Sequence, residues 1–328
     1  MTSPSDGPPA DPGAGLRFSV VVPTYDRPDR LARCLAALAA LDYPRDRYEV
    51  VVVDDGSRQP LDDVVAGAIE SEADLAVDLV RQANAGPAAA RNRGAARARG
   101  RYLAFTDDDC TPTPGWLTGL DAALSDDPQA LVGGRVDNAL VGNPCSTASQ
   151  ILVTYLYERQ AAVRAHGNGA GGNGAARPSA AEPEGFFASN NIAVPAEGFA
   201  RLGGFDESFP LAAAEDRDLC ARWVETGGTL RYQPDAVVDH HHALDLAGFC
   251  RQHANYGRGA WQYNQGRTAR TGASLRVAPV SFYAGMLRRP FADMPARRAL
   301  PVAGLLAVSQ VATATGFGLE RLRRRGAA

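Results

Sequence analysis

The stretch "RYLAFTDDDCTP" (Arg101–Pro112) runs from a short apolar segment directly into three consecutive aspartates. Two unit charges about 4 Å apart repel each other by roughly 4 kcal/mol at an effective dielectric constant near 20. A folded protein accepts such a cluster when the carboxylates are fully hydrated, when they cap a helix, or when a cation neutralises them. The segment "RYLAFTDDD" is predicted to be a strand, and side-chain alternation at its end would bring Asp107 and Asp109 together and point Asp108 away.

The residues after the cluster exclude an EF-hand calcium loop. Thr111 and Thr113 follow Asp109, and the acid and glycine that such a loop requires are missing from their positions. A carboxylate pair at the end of a strand instead suits a hard divalent ion whose other ligands are phosphate oxygens.

Similar apolar runs earlier in the chain indicate the fold class. They are "RFSVVVPTY" (Arg17–Tyr25), "YEVVVVDDGS" (Tyr48–Ser57) and "LAVDLVRQ" (Leu75–Gln82), and segments with helical spacing separate them. This alternation predicts an α/β domain with a mainly parallel sheet. Ligands bind beyond the carboxyl ends of such strands, where this sequence carries Pro23–Asp26, Asp54–Ser57 and Asp107–Asp109.

The composition argues against several classes of protein. The chain has 328 residues, a formal net charge of −3 and 22% charged residues, which gives no reason to expect a nucleic-acid partner. Its five cysteines are scattered and contain no CxxC pair, which argues against a disulfide scaffold or a structural zinc site and fits a reducing compartment. The first fifteen residues lack a basic start and an apolar core, and they predict a disordered tail instead of a signal peptide.

A glycine-rich segment, His166–Gly185, contains a literal GxGxxG pattern at Gly169, Gly171 and Gly174. A dinucleotide site requires a strand before that pattern and a helix after it, and low-complexity sequence surrounds this one. We reject the dinucleotide interpretation and predict a flexible loop, either a lid over a site or a surface insertion.

Taken in order, seven segments between Phe18 and about Tyr263 resemble the inverting glycosyltransferases of family 2. They are "VVVPTYDRPDRLARCLAAL", "VVVVDDGS", "NAGPAAARNRGAARARGRYLAFTDDDCTPTPGWL", "SNNIAVP", "LGGFDESF", "EDRDLCARW" and "DAVVDHHH". The resemblance implies the GT-A (nucleotide-diphospho-sugar transferase) fold, with a mainly parallel central sheet flanked by helices and a helical C-terminal extension. The expected divisions are a tail at 1–15, a GT-A domain at 16–245 with a flexible loop at 166–185, and a helical region at 246–328.

The resemblance also implies roles on the donor side. Asp55 would read the base, Asp107 or Asp108 would face the ribose, and Arg91 would support the donor unless it is a purely structural arginine. Pro23 and Thr24 would lie beside the nucleotide.

"TDDD" resembles the DxD-type motif of the family, with Asp109 as a metal ligand. His240 would complete the metal shell, with an ordinary exposed histidine cluster at His240–His242 as the alternative. The implied cofactor is a divalent cation, Mn²⁺ or Mg²⁺, which would bridge the aspartates to the nucleotide diphosphate and stabilise its departure.

On the acceptor side, the aspartate of "EDRDL" is the family's general base, which implies that role for Asp216. Glu215, Asn191 and Trp223 would lie near the acceptor. The competing explanation for the acids is that carboxylates in a first helical turn complement the helix dipole.

The uncharged stretch Ala299–Leu319 would extend about 30 Å as a helix, close to the thickness of a bilayer core. Its polar residues and its flanking arginines favour a helix packed on the core or lying on a membrane surface over a spanning helix.

We therefore expect a metal-dependent enzyme that transfers a sugar from a nucleotide-diphosphate sugar, with inversion, to a hydroxyl of a saccharide or lipid-linked acceptor. Its expected place is the cytoplasm, at the inner face of the plasma membrane, in cell-envelope polysaccharide or glycolipid synthesis. Two alternatives are a nucleotidyltransferase and a non-catalytic protein of a membrane complex that binds a nucleotide sugar. The nucleotidyltransferase would need a basic, glycine-rich loop after the first strand, where "VVPTYDRPDR" has proline and no glycine.

Overall fold

A computed structural model describes residues 15–71, 75–167, 185–209, 211–275 and 277–325. The predicted tail at 1–15 lies almost wholly outside these ranges, as do most of the predicted loop at 166–185 and its GxGxxG pattern.

The strands are β1 (Phe18–Thr24), β2 (Tyr48–Asp54), β3 (Val77–Arg81), β4 (Tyr102–Phe105), β5 (Cys110–Pro112), β6 (Leu131–Asn138), β7 (Ile192–Pro195) and β8 (Leu230–His240). The helices are α1 (Pro28–Ala39), α2 (Asp62–Ser71), α3 (Pro87–Arg97), α4 (Trp116–Asp126), α5 (Pro144–Gly167), α6 (Ala196–Leu202), α7 (Glu215–Glu225), α8 (Leu246–Thr271), α9 (Val280–Arg288), α10 (Pro290–Asp293) and α11 (Ala296–Arg325).

Within the described residues the strands form one sheet in the order β3-β2-β1-β4-β7-β6-β8-β5. The β1–β2, β1–β4, β2–β3 and β6–β8 pairs are parallel, and β7 runs antiparallel to both β4 and β6. The parallel half confirms the predicted α/β fold class, and its strands β2, β1 and β4 end side by side.

The buried strand β1 shows why apolar runs without alternation form the centre of this sheet. Val20 and Val22 face one core layer together with Leu31 of α1, whereas Val21 faces the other layer together with Phe105. Both faces are covered by helices, so the central positions of the strand are apolar on both sides.

Helix α3 lies unusually close to the sheet because Gly94 has no side chain. A Cβ at this position would overlap the Val21 side chain and crowd that of Val53. This close packing fixes the start of α3, and with it Arg91, beside the carboxyl ends of β1 and β4.

The C-terminal helices form a layer in which the backbones of α8 and α11 pack directly against each other. A Cβ on Gly316 would overlap the carbonyl oxygen of Ala254, and a Cβ on Gly257 would overlap that of Thr313. On the opposite face of α8, Gly259 packs against Ala213 in the loop before α7. A Cβ on Gly259 would overlap the carbonyl oxygen of Ala213.

The structure differs from the expectation for the aspartate cluster. Strand β4 ends at Phe105 and a turn follows, so the side-chain alternation of a strand does not reach Asp107, Asp108 and Asp109. Arg27 approaches both Asp108 and Asp109, whereas Asp107 pairs with Arg91. The expected convergence of Asp107 and Asp109 is therefore wrong.

Replacing Gly316 with alanine tests the α8–α11 crossing. We expect Gly316→Ala to destabilise the protein by about 1–3 kcal/mol, because the added methyl group meets backbone that cannot move independently. Gly318→Ala, two residues along the same helix with open space around it, is the control and should stabilise by up to about 1 kcal/mol through helix propensity. Urea unfolding measures both, and equal effects would contradict the described crossing.

Candidate active site

The site lies where strands β1, β2 and β4 end together. Thr24, the last residue of β1, is buried, and its hydroxyl donates to Asp108 Oδ2 over 2.8 Å. Pro23 precedes it at the same edge and is half-buried.

The short strand β5 explains how a distant histidine reaches the aspartates. Cys110 of β5 is paired with His240 at the end of β8, and the His241 N–H donates to the carbonyl of Asp109 over 2.8 Å. As a result, His240 Nε2 lies 3.3 Å from Asp109 Oδ1. The structure thus brings these two predicted metal ligands together.

Each aspartate of the cluster has an arginine beside it. Arg91 Nη2 lies 2.7 Å from Asp107 Oδ1, Arg27 Nη1 lies 3.2 Å from Asp108 Oδ1, and Arg30 Nη1 lies 3.0 Å from Asp109 Oδ2. The mutual repulsion of the carboxylates is therefore offset by charges from α3 and α1.

The surroundings separate the pKa values of Asp108 and Asp109. Burial raises the pKa of Asp108 to about 6, against the opposing charge of Arg27. Burial also acts to raise the pKa of Asp109, but the hydrogen bond and charge of His240 outweigh it and hold that pKa well below its usual range. Asp109 therefore keeps its negative charge over a wider range of pH than Asp108, which suits a metal ligand.

Arg91 connects the aspartate cluster to the start of α7. It is 2% exposed, and its Nη1 lies 3.0 Å from Glu215 Oε1 while its Nη2 contacts Asp107. Its guanidinium also lies over the Phe205 ring, with 5.6 Å between the guanidinium carbon and the ring centroid.

Helix α7 begins with two acids whose proton affinity is increased. Burial raises the pKa of Glu215 to about 7, with the charge of Asp216 adding to it and Arg91 opposing it. Burial also raises the pKa of Asp216, although the Arg217 N–H donates to its Oδ1 over 2.7 Å. Asp216 is partly exposed and Glu215 is buried, so Asp216 is the better placed of the two to accept a proton from a bound molecule.

The backbone before these acids is strained. Ala214 has a φ of +72°, a conformation that favours glycine. The close approach of Gly259 to Ala213 holds this loop against α8, and the strain persists because the surrounding packing determines it.

The donor atoms near Asp109 fit a divalent ion. Asp109, Cys110 and His240 offer ligand atoms within 4.8 Å of one another. Burial raises the pKa of the Cys110 thiol well above its usual value, so it stays protonated and is a poor ligand. The carboxylate and the imidazole remain, and they fit an ion that takes its other ligands from water or phosphate.

Three buried polar atoms near the acids have no hydrogen-bond partner among the described residues. They are Arg91 Nε, Glu215 Oε2 and Asn190 Oδ1. Leaving such an atom unpaired costs about 1–3 kcal/mol, which a bound polar molecule or ordered water would recover.

Asp55, the predicted base-reading residue, shapes the loop between β3 and α3. Its Oδ1 accepts from Gln82 Nε2 and from the Ala85 N–H, and its Oδ2 accepts from the Gly86 N–H, all over 2.8–2.9 Å. It lies one residue beyond β2 at the carboxyl edge, beside the other donor-side residues.

Two of the residues predicted on the acceptor side are part of the core, and those predictions need correction. Asn191 is 1% exposed. Its Nδ2 donates to the carbonyls of Arg135 and Ala236, and its Oδ1 accepts from Trp116 Nε1. Its amide therefore ties β7 to β6, β8 and α4 and does not face a ligand.

Trp223 is likewise a packing residue. It is 5% exposed, and its ring fills the space left by Gly198 and Gly228, where added Cβ atoms would collide with it. The short sequence signal "ARW" did not distinguish a buried anchor from a ligand contact.

Several residues near the site were missed. Arg27 lies directly before α1 and Arg30 lies in its first turn, and a single sequence does not distinguish a surface arginine from one that faces an acid. Gln252 of α8 lies 3.2 Å from His242 and donates to the Tyr256 hydroxyl over 2.7 Å. Tyr256 is 36% exposed, and desolvation of its hydroxyl, together with the charges of Asp216, Glu215 and Asp107, raises its pKa.

Comparison with known proteins agrees with this arrangement. The family described as Glycosyl transferase family 2 matches residues 19–179. The pre-mycofactocin glycosyltransferase of Mycobacterium tuberculosis (strain H37Rv) is 34% identical over 257 residues, which are 77% of this chain and 48% of that protein. The chain belongs to glycosyltransferase family 2.

The names of other relatives refer to different products. The chondroitin synthase of Escherichia coli is 30% identical over 239 residues, 68% of this chain and 34% of that protein. The chain spans about half or less of the length of these curated relatives.

Solved structures support the GT-A fold. The mannosyltransferase PcManGT of Pyrobaculum calidifontis, in complex with GDP-Man and Mn²⁺, has a TM-score of 0.58 and 23% identity, covering 99% of this chain and 83% of that one. S. aureus TarS in complex with UDP-GlcNAc has a TM-score of 0.51 and 16% identity, covering 95% of this chain and 92% of that one.

Arg91→Met tests the connection between the acids. It removes the charge between Asp107 and Glu215 while keeping most of the side-chain volume. We expect a loss of about 3–5 kcal/mol in unfolding free energy, because a buried carboxylate then lacks its partner.

Arg93→Met, at an exposed position of the same helix, is the control and should change the unfolding free energy by less than about 0.5 kcal/mol. Equal losses in the two variants would show that Arg91 does not carry the pairing.

Proposed function

We propose that the chain is a metal-dependent glycosyltransferase that moves a sugar from a nucleotide-diphosphate sugar to a hydroxyl acceptor with inversion. The observation that carries the proposal is the convergence of Asp109 and His240, a pair that fits a divalent ion, with a partly exposed Asp216, whose pKa is raised by burial, at the start of α7. Family membership supports the reaction class.

The donor would lie along the carboxyl edge, with Pro23, Thr24 and Asp55 beside its nucleotide and Asp107 or Asp108 toward its ribose. Asp109 and His240 would hold a divalent cation, which when bound stabilises the charge of the departing diphosphate. Because imidazole is not among the oxygen ligands that Mg²⁺ prefers, His240 favours Mn²⁺. PcManGT, whose title names both GDP-Man and Mn²⁺, supports this arrangement by analogy of fold.

Asp216 would remove the proton from the acceptor hydroxyl as the acceptor oxygen bonds to the anomeric carbon and the bond from that carbon to the diphosphate oxygen breaks. The raised pKa of Asp216 suits this step, since a more basic carboxylate accepts the proton more readily at neutral pH. A single displacement of this kind inverts the anomeric centre. Arg91 and Glu215 would hold the acceptor side of the site in place.

The experiment compares the parent with Asp216→Asn and Asp109→Ala, using purified protein, Mn²⁺, a panel of nucleotide sugars and saccharide or lipid-linked acceptors. We expect Asp216→Asn to bind donor as the parent does and to lose transfer by at least about 10²-fold. Asp109→Ala should lose donor affinity, as the parent should with EDTA.

Failure of the parent to bind or turn over any donor would overturn the proposal. Unchanged transfer by Asp216→Asn would overturn the role of Asp216 alone, and full donor affinity in EDTA would overturn the role of the metal.

We further propose that the helical region at 246–328 contacts an anionic membrane surface, which would place the enzyme at the inner face of the plasma membrane, beside envelope acceptors. Helix α11 is long and apolar enough to span a membrane by length and composition alone. One face of it packs on α8 and α5 through Val302, Leu306 and other buried residues. That packing favours a helix lying on the surface.

The other face of α11 supports this placement. Leu300, Val311 and Leu319 are 60–69% exposed and share one side of the helix. No charged residue lies between Ala299 and Leu319, and exposed arginines stand at both ends of the helix. Each arginine near an anionic leaflet contributes about 1 kcal/mol.

Val311→Glu tests this surface without disturbing the buried face. We expect the parent to sediment with vesicles containing phosphatidylglycerol and to bind vesicles of phosphatidylcholine weakly, since the attraction is partly electrostatic. Val311→Glu should lose vesicle binding by about tenfold or more, because the variant places a charge at the centre of the apolar face.

Val141→Glu is the control, because Val141 is 75% exposed and lies outside the C-terminal helices. Equal vesicle binding by the parent and Val311→Glu would remove the membrane from the proposal.

A further inference from the structure

The arginines of α1 approach the aspartates in two different ways. Arg30 contacts Asp109 at Oδ2, the oxygen opposite the one that faces His240. Arg27 instead reaches across Asp108 and Asp109, with its Nη1 3.2 Å from Asp108 Oδ1 and 3.9 Å from Asp109 Oδ2.

These contacts differ in whether they can persist when a cation binds. If Asp109 and His240 held an ion, Asp109 could use the oxygen that faces His240, and its other oxygen would keep the contact with Arg30. Arg27 has a side chain that is 51% exposed, and it occupies the open side of the carboxylate cluster as a counterion. A divalent cation would take over the charge neutralisation that Arg27 supplies.

Hydrogen bonds hold the backbone directly before Arg27 in place. Asp26 has a φ of +55°, and its carboxylate accepts from the Arg58 N–H and from Arg58 Nε, each over 2.8 Å. Its own N–H donates to the Ser57 hydroxyl over 2.9 Å. The turn from β1 into α1 is thereby fixed to the loop after β2, and strained non-glycine residues held in this way cluster at functional sites.

The charge balance indicates what Arg27 would contact next. A nucleoside diphosphate carries about three negative charges at neutral pH, since the second pKa of a phosphate group is near 6. A nucleotide-diphosphate sugar, whose outer phosphate is esterified, carries about two, so with one divalent cation a net negative charge appears only as the sugar departs and the diphosphate becomes free. A guanidinium has five N–H donors in a planar fork. Arg27 contacts both Asp108 and Asp109 through Nη1, so the group can turn toward phosphate oxygens.

We propose that Arg27 is an exchangeable counterion, which neutralises Asp108 and Asp109 while the cation site is empty and moves to the diphosphate of the donor when the metal–nucleotide complex binds. Arg30 keeps its contact with Asp109 throughout. This inference rests on the proposed function, because it needs a donor with a diphosphate.

The test measures Mn²⁺ alone by electron paramagnetic resonance, and UDP, GDP, UMP and GMP in the presence of Mn²⁺ by calorimetry. The proteins are the parent, Arg27→Ala, Arg30→Ala and Arg97→Ala. Arg97 is the matched control because its side chain is 55% exposed and pairs with a single aspartate at 3.0 Å, at the far end of α3.

For Arg27→Ala we expect about a tenfold loss of affinity for the diphosphate that the parent binds, which corresponds to about 1.4 kcal/mol. We expect little change for the matching monophosphate and equal or tighter binding of Mn²⁺ alone, since a competing cation has been removed. Arg30→Ala and Arg97→Ala should keep the parent's ratio of diphosphate to monophosphate affinity.

Four results would overturn the inference. Arg27→Ala binding the diphosphate as the parent does, or losing diphosphate and monophosphate equally, would show that Arg27 does not engage the second phosphate. Weaker binding of Mn²⁺ alone by Arg27→Ala would show that it supports the cation site and does not compete for it. A parent that binds neither UDP nor GDP with Mn²⁺ would overturn the proposed function as well.

Discussion

The neutralisation of three adjacent aspartates is the constraint on which the rest of this site depends. A turn after β4 places three carboxylates at the edge of the sheet, and α1 and α3 supply one arginine for each. The pairs are Arg27 with Asp108, Arg30 with Asp109 and Arg91 with Asp107. Arg91 is buried between two acids, whereas Arg27 is half exposed, so the same charge serves as a fixed support in one pair and as a replaceable counterion in the other.

The layout of the sheet could be predicted from the sequence because buried parallel strands are continuous apolar runs. The runs that became β1, β2 and β4, and the polar residues directly after them, indicated both the α/β class and the edge that carries the site. The aspartates themselves were misjudged, since alternation applies only within a strand and β4 ends at Phe105, before the cluster. The arginines of α1 were missed because a surface arginine and one that faces an acid are alike in a single sequence.

The incorrect assignments of Asn191 and Trp223 have a different origin. Asn191 is held by carbonyls of β6 and β8, segments distant in the chain. The Trp223 ring fills the space that Gly198 and Gly228 leave by having no side chain. A motif gives residue types and their order, but it does not show which polar atoms are already satisfied inside the fold. His240 could be placed next to Asp109 only through the resemblance, because the β5–β8 pairing joins segments about 130 residues apart.

Helix α8 connects the C-terminal helices to the site. It packs on α11 through Gly257 and approaches the site through Gln252 and Tyr256. The central claim is that Asp109, His240 and a nucleotide diphosphate share one cation. Electron–nuclear double resonance of Mn²⁺ bound to the protein with UDP or GDP tests it directly. We expect couplings to ³¹P of the diphosphate and to ¹⁴N of an imidazole, with the ¹⁴N coupling alone lost in His240→Ala. A phosphorus coupling without any imidazole coupling in the parent, or no Mn²⁺ bound at all, would contradict the account.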